Sequence, residues 1–250
     1  IFGTMTSLVR NPRWAGIYGR LGFDYVIVDT EHSPNGRTEA ADMAFAFQGA
    51  GICPIIRVPN TEPYQSIMAL DAGFHGVLVP YCESAGEVRA VVHASRMRPL
   101  KGAMHDRARD RGDFPSDASR SYLEERNKNV FVIIGIESVP AVDALDSILD
   151  VGGIDAIFIG PNDLSISLGV PDEYAHPKFL EAVEHIIATS QKRGIPAGGH
   201  WQTEADVERW MGKGSRFILF SSDGRALTEG YRASLNKFRG ATVGQMQHTL

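Results

Sequence analysis

The chain has 250 residues, 43% hydrophobic and 22% charged, with 25 lysines and arginines against 30 aspartates and glutamates for a formal net charge of −5. This is a globular composition with ample chain for a core, which excludes disordered, collagen-like and disulfide-framework proteins. The acidic surplus also argues against a general nucleic-acid or anionic-membrane binder, and points to a small molecule or to self-association.

Two cysteines, Cys53 and Cys82, lie beside apolar runs and read as buried free thiols, as in a reducing cytoplasm. The unbroken apolar stretches, such as 130–134, fall far short of the ~20 residues a membrane span needs.

In chain order, a weak strand over 2–6 precedes a helix over 11–21, a strand at 25–29 (YVIVD) and a helix over 38–48. Strand 55–58 (IIRV), helix 63–72, strand 76–80 (GVLVP) and helix 85–95 follow. After a polar segment at 100–128 come strand 130–137 (VFVIIGIE), helix 139–149, strand 156–160 (AIFIG) and helix 177–192. A weak strand over 195–199, helix 204–212, strand 216–220 (RFILF) and helix 227–238 complete the pattern. Most strands are continuously apolar, as expected of parallel strands covered on both faces. In helix 177–192, Phe179, Leu180, Val183, Ile186 and Ile187 follow the helical period.

Eight strands alternating with helices predict a (β/α)8 TIM barrel, as one domain over 1–250. The competing reading, a doubly wound open sheet, lacks any G-x-G-x-x-G or P-loop after a strand. Segment 100–128, with Arg107, Arg109 and Arg111, reads as a long connection that is either functional or a solvated insertion.

In a barrel, residues at the carboxyl ends of strands converge on the site. Here these are Asp29, Glu31 and His32, then Arg57, Glu137 and Asp163. Such a crowd of acids calls for a cation to join it. Glu137 and Asp163 are the expected metal ligands, since each follows a highly apolar strand where an unpaired carboxylate is costly. Oxygen donors without Cys or paired His favour Mg2+ or Mn2+ over zinc. For Asp163 a helix-capping role is the competing reading. His32, three residues beyond Asp29, is expected to be polarised by it as a general acid or base. Arg57 is expected to fork a substrate carboxylate or oxyanion; a structural pair with Glu31 or Asp71 is the alternative. His75, His93, His176, His185 and His248 read as structural or solvated, and His200, after the seventh strand, as a weaker candidate.

The stretches FDYVIVDTEHSPNG, IIRVPNTEP, LDAGFHGVLVPYCESAGEVRAVV, IGIESVPAVDALDSILDVGGIDAIFIGPNDLSISLG and SSDGRAL resemble the HpcH/HpaI aldolase family of metal-dependent class II pyruvate aldolases. The family is similar in these motifs to 2-keto-3-deoxy-glucarate and 2,4-dihydroxyhept-2-ene-1,7-dioate aldolases. The resemblance implies Glu137 and Asp163 as metal ligands, the His32–Asp29 pair in proton transfer, Arg57 on the pyruvyl group, and a contribution from Asp71. It implies that the backbone of Gly160, Pro161 and Asn162 holds the keto acid, and that the cofactor is Mg2+, Mn2+ or Co2+. It also implies a homohexamer, a trimer of dimers that swap their last helix, here near 227–238. Two features depart from the family pattern: Gly135 stands where many members carry glutamine, and an arginine- and glycine-rich motif is altered to PLKGAMHDRAR.

The expected activity is that of a carbon–carbon lyase cleaving or forming 4-hydroxy-2-keto acids through a metal-bound enolate of pyruvate or hydroxypyruvate and an aldehyde. His105, Arg107 and Arg109 are expected to meet the aldehyde, favouring a charged or polyhydroxylated one. A 2-keto acid decarboxylase of the oxaloacetate type or an acyl-CoA lyase on the same core is the alternative.

Overall fold

The computed structural model describes residues 1–239. His248 lies outside the described residues. Eight parallel strands, β1 (Phe2–Thr6), β2 (Tyr25–Asp29), β3 (Cys53–Arg57), β4 (Gly76–Val79), β5 (Phe131–Ile136), β6 (Ala156–Ile159), β7 (Ala197–Trp201) and β8 (Ile218–Ser222), close into a barrel in sequence order. The (β/α)8 expectation is met.

Alternation along each strand sorts side chains into two layers. Met5, Ile27, Ile55, Ile133 and Phe158 fill the barrel interior. Val26, Val28, Ile56, Val77, Ile134 and Ile157 face the surrounding helices. Both faces are apolar, so the runs are unbroken. The same alternation carries Asp29, Arg57 and Glu137 inward, one or two rungs beyond Ile27, Ile55 and Ile133. They form the rim above the packed interior.

The helices are α1 (Ala15–Leu21), α2 (Arg37–Gly49), α3 (Pro63–Asp71), α4 (Ala85–Arg96), α5 (Gly102–Arg111), α6 (Asp117–Asn127), α7 (Val139–Asp143), α8 (Leu145–Leu149), α9 (Pro161–Ser167), α10 (Pro177–Lys192), α11 (Glu204–Gly212) and α12 (Asp223–Arg239). Their starts carry capping side chains: Ser84 accepts from the Glu87 amide, Ser138 from Ala141 and Thr203 from Asp206. The helix expected over 139–149 divides at Ala144, whose ψ of 0° interrupts the helical path. Segment 100–128 is two helices, α5 and α6, which lie between α4 and β5. They therefore sit on a connection that leads into a strand, at the barrel end opposite the carboxyl-terminal rim.

The seam between β1 and β8 is irregular, with a register shift between Gly3 and Met5. It is held by Asp223, the first residue of α12. This buried carboxylate accepts the amides of Ser7 (3.1 Å), Leu8 (2.9 Å), Val9 (2.7 Å) and Gly224 (2.8 Å), and the Thr6 hydroxyl (3.0 Å). Burial pushes its pKa up, but the amides of Val9, Ser7 and Leu8 outweigh this and hold it below the ordinary value. Beyond Asp223 the helix is largely solvent-facing, with Leu227, Tyr231 and Leu235 exposed along one face at four-residue spacing.

Candidate active site

A cleft of about 330 Å³ opens at the carboxyl ends of the strands. Asp29, His32, Arg57, Gly160, Pro161, Asn162 and Asp163 from the expected set line it, joined by Met5, Ser7, Phe158, Tyr174, His200, Gln202 and Ser222.

At its centre is a charged triad. Asp29 and Arg57 are register partners on adjacent strands. The guanidinium donates through Nε to Asp29 Oδ1 at 2.8 Å, and its Nη1 lies 3.2 Å from Glu31 Oε2. Burial alone would lower the Arg57 pKa, but Asp29 and Glu31 more than offset it, and it is raised. Burial lifts Glu31 above the ordinary carboxylate range against the opposing charge of Arg57. The pairing with Glu31 matches one of the two readings made of Arg57 from sequence, while Asp71 takes no part.

Asp29 therefore serves Arg57 rather than His32, a correction to the expected dyad. The three-residue spacing did not reveal that Asp29 points inward on the strand while His32 leaves it. The His32 side chain is 64% exposed, with Nε2 3.6 Å from Glu31 Oε2. It lines the cleft from its solvent-exposed edge.

Glu137 lies behind the lining, 2% exposed, with Oε1 lacking any hydrogen-bond partner. Burial raises its pKa to about 8, opposed by Arg57 and reinforced by Glu31 and Asp163. Two glycines make its niche. A Cβ at Gly160 would stand 2.7 Å from Glu137 Cδ, and one at Gly135 would stand 2.7 Å from Glu137 Oε1 and 3.0 Å from the Pro80 backbone. An orphaned buried carboxylate beside Asp163 is a donor set that fits a hard divalent cation. Among the described residues no group of three or more His, Cys, Asp and Glu side chains is arranged to hold a metal, so this chain would supply two carboxylates.

Two expected residues are placed elsewhere. Asp71 ends α3, away from the cleft lining, with Oδ1 3.4 Å from Arg98 Nη1. His105 is buried on α5, its Nε2 3.0 Å from Nδ1 of His93 on α4. On the same remote helix, Arg109 pairs with Asp106 and Asp110, and Arg107 pairs with Asp113 just beyond the helix end. None of the three reaches the cleft, because the connection that carries them leads into β5 instead of out of a strand.

Sequence reasoning ranked His200 low and did not single out Tyr174 or Gln202. His200 and Gln202 follow the inward alternation of β7, a signal that was available. Tyr174 arrives from the turn between α9 and α10, which no periodicity announces. The His200 Nε2 lies 2.8 Å from the Ser221 carbonyl. Burial, helped by Arg57, depresses its pKa to about 4 and keeps the ring neutral.

An eight-stranded barrel with a carboxylate- and arginine-lined mouth at the carboxyl ends of its strands is the architecture of a barrel enzyme. The sequence profile of HpcH/HpaI aldolase/citrate lyase matches residues 5–229, and the chain belongs to that family. It is 34% identical over 234 residues to 5-keto-4-deoxy-D-glucarate aldolase of Salmonella newport (strain SL254), covering 92% of this chain and 88% of the relative. The fold superimposes on HpcH/HpaI aldolase from Desulfitobacterium hafniense DCB-2 with a TM-score of 0.83 and 29% identity, over 99% of this chain and 95% of that one. It also matches a HpcH/HpaI aldolase/citrate lyase family protein from Burkholderia cenocepacia J2315, with a TM-score of 0.82, 29% identity, and 96% and 94% coverage. The protein is a carbon–carbon lyase of the aldolase type. No helix among the described residues is long and apolar enough to cross a membrane.

Proposed function

We propose that the protein is a metal-dependent class II aldolase that joins or cleaves pyruvate, or hydroxypyruvate, and an aldehyde, through one catalytic domain. The observation that carries the reading is the buried Glu137 carboxylate, whose Oε1 has no partner and which sits against Gly160 behind Asp163. Burial holds this acid in its protonated form when it stands alone, and a divalent cation shared with Asp163 would displace that proton and pair the bare oxygen. Glu137 and Asp163 would hold Mg2+, Mn2+ or Co2+, and such a cation, when bound, supplies Lewis-acid stabilisation of negative charge on the keto oxygen.

The chain's own residues do the rest. Arg57, pre-set by Asp29 and Glu31, places a fixed positive charge beside the keto acid and favours charge developing on its oxygen. At the amide end of α9, Gly160 and Asn162 would present backbone N–H groups to the carboxylate, with Pro161, which has no N–H, fixing the turn between them. His32, over the mouth, takes the proton from C3 and returns it to the carbon or to the aldehyde oxygen. In this reading Asp29 acts through Arg57 as a positioning residue.

The exposed Leu227, Tyr231 and Leu235 stripe on α12 supports assembly through the last helix, and we assign a homohexamer built from dimers that exchange it. The two free thiols support a cytoplasmic setting.

The decisive experiment is exchange of pyruvate methyl protons in deuterated buffer, followed by NMR with Mg2+ or Mn2+ and with EDTA. Metal-dependent exchange that disappears in Glu137→Ala is expected. Absence of exchange with every metal, with hydroxypyruvate included, would overturn the assignment and favour a decarboxylase or acyl-CoA lyase.

A further inference from the structure

We propose that Glu83 and Ser167 are positioning residues that set the spacing of the Glu137–Asp163 pair, and with it the size of cation the pair accepts. The inference rests on the metal-dependent reading above and gives a role to two residues which that reading does not use.

Glu137 is gripped on either side by the loop that follows β4. The Cys82 amide donates to the Gly135 carbonyl at 3.2 Å, two residues before the acid. The Ser138 hydroxyl, one residue after it, donates to Glu83 Oε1 at 2.6 Å. Glu83 is anchored in turn, its amide donating to Glu87 Oε2 on α4 at 3.1 Å. Tyr81, at φ 55°, starts this loop in left-handed backbone that a non-glycine residue seldom adopts. With its proton committed to Glu83, the Ser138 oxygen accepts the Ala141 amide at 3.3 Å. One serine thus ties the β4 loop to the end of β5 and the start of α7.

A second tie runs to the other acid. The Val139 amide donates to Ser167 Oγ at 2.9 Å. Ser167 is four residues beyond Asp163 on α9, so the two share a face of that helix. Any slip of the Ser138–Val139 turn along α9 would change the distance between Glu137 and Asp163, and this bond resists it. Gly160, pressed against Glu137, closes the niche from the remaining side.

These ties act through geometry. The charges that bear on Glu137 are those of Arg57, Glu31 and Asp163, and Glu83 reaches it through Ser138. Groups that orient metal ligands without touching the metal change its affinity by about 10- to 100-fold when removed. A fixed pair of carboxylates also discriminates by size, because Mg2+ demands short bonds in a strict octahedron while Ca2+ takes longer bonds in a flexible shell.

The test titrates the protein with Mn2+, following free Mn2+ by electron paramagnetic resonance, and then displaces the bound ion with Mg2+ or Ca2+. Glu83→Ala and Ser167→Ala are each expected to raise the Mn2+ Kd at least tenfold. Each should also shift the preference between Mg2+ and Ca2+ toward Ca2+ by about threefold or more. Either alanine variant suffices should the other fail to fold. Glu83→Gln, whose amide oxygen still accepts from Ser138, should bind Mn2+ as wild type does. A Kd within about twofold of wild type in the alanine variants, or an unmoved Mg2+/Ca2+ preference, overturns the proposal. So does a loss in Glu83→Gln as large as in Glu83→Ala, which would make charge the cause. Wild type that binds no Mn2+, or binding that survives Glu137→Ala, refutes instead the metal-dependent reading beneath it.

Discussion

Glu137 and Gly160 are pressed together so closely that a single methyl group at 160 would come within 2.7 Å of the Glu137 carboxyl carbon. The backbone at Gly160 is ordinary, with φ −85°, so any side chain is allowed there by conformation and barred only by the acid behind it. Gly160→Ala is therefore expected to displace the Glu137 carboxylate while leaving the barrel folded. Metal-dependent pyruvate exchange should fall at least tenfold with little change in Tm. Exchange at the wild-type rate would show that Glu137 need not sit where it does.

Arg57 holds two acids through two different nitrogens, which a lysine's single ammonium cannot reproduce. Arg57→Lys should retain the fold and lose most pyruvate binding, read as a raised KM and a reduced exchange rate. Arg57→Ala should be worse, since it strands the buried Asp29 beside Glu31; a stability loss of about 3 kcal/mol in urea titration is expected.

His93 gives the protein a pH dependence remote from the cleft. Burial, the neighbouring His105 and Arg109 depress its pKa from 6.5 to about 4. The folded state thus favours the neutral ring, and this contribution is present above about pH 6.5 and lost as the pH falls toward 4. Because the ring is half-buried, the loss is on the order of 1 kcal/mol. Urea midpoints at pH 7 and pH 4.5 should differ less in His93→Gln than in wild type.

The apolar face of α12 bears on assembly. Tyr231→Asp combined with Leu235→Asp should convert the assembly to smaller species in light scattering, with an unaltered circular dichroism spectrum. A wild-type mass unchanged by both substitutions would refute the assignment of that face.

The strands were legible because both layers of the barrel are apolar, and unbroken runs such as YVIVD mark them without ambiguity. The polar rim was legible for the same reason, since Asp29, Arg57 and Glu137 each end such a run. Helices α5 and α6 were not, because each packs through few side chains: α5 buries only His105 and Ala108, and α6 only Leu123 and Asn127. With so narrow a buried stripe, a helix reads as a polar loop. Partner choice at the rim was also hidden. Asp29 meets Arg57 through cross-strand register, a relationship that spacing within one segment cannot express.

The seam at Asp223 has a consequence for how the ring is made. The amides of Ser7, Leu8 and Val9 belong to the beginning of the chain, and the carboxylate that collects them lies more than 200 residues later. During synthesis, the first strand leaves the ribosome long before the group that fastens it exists. The barrel is thus a clasp whose hook is made more than 200 residues after the amides it catches, and β1 stays unlatched until translation has passed residue 223.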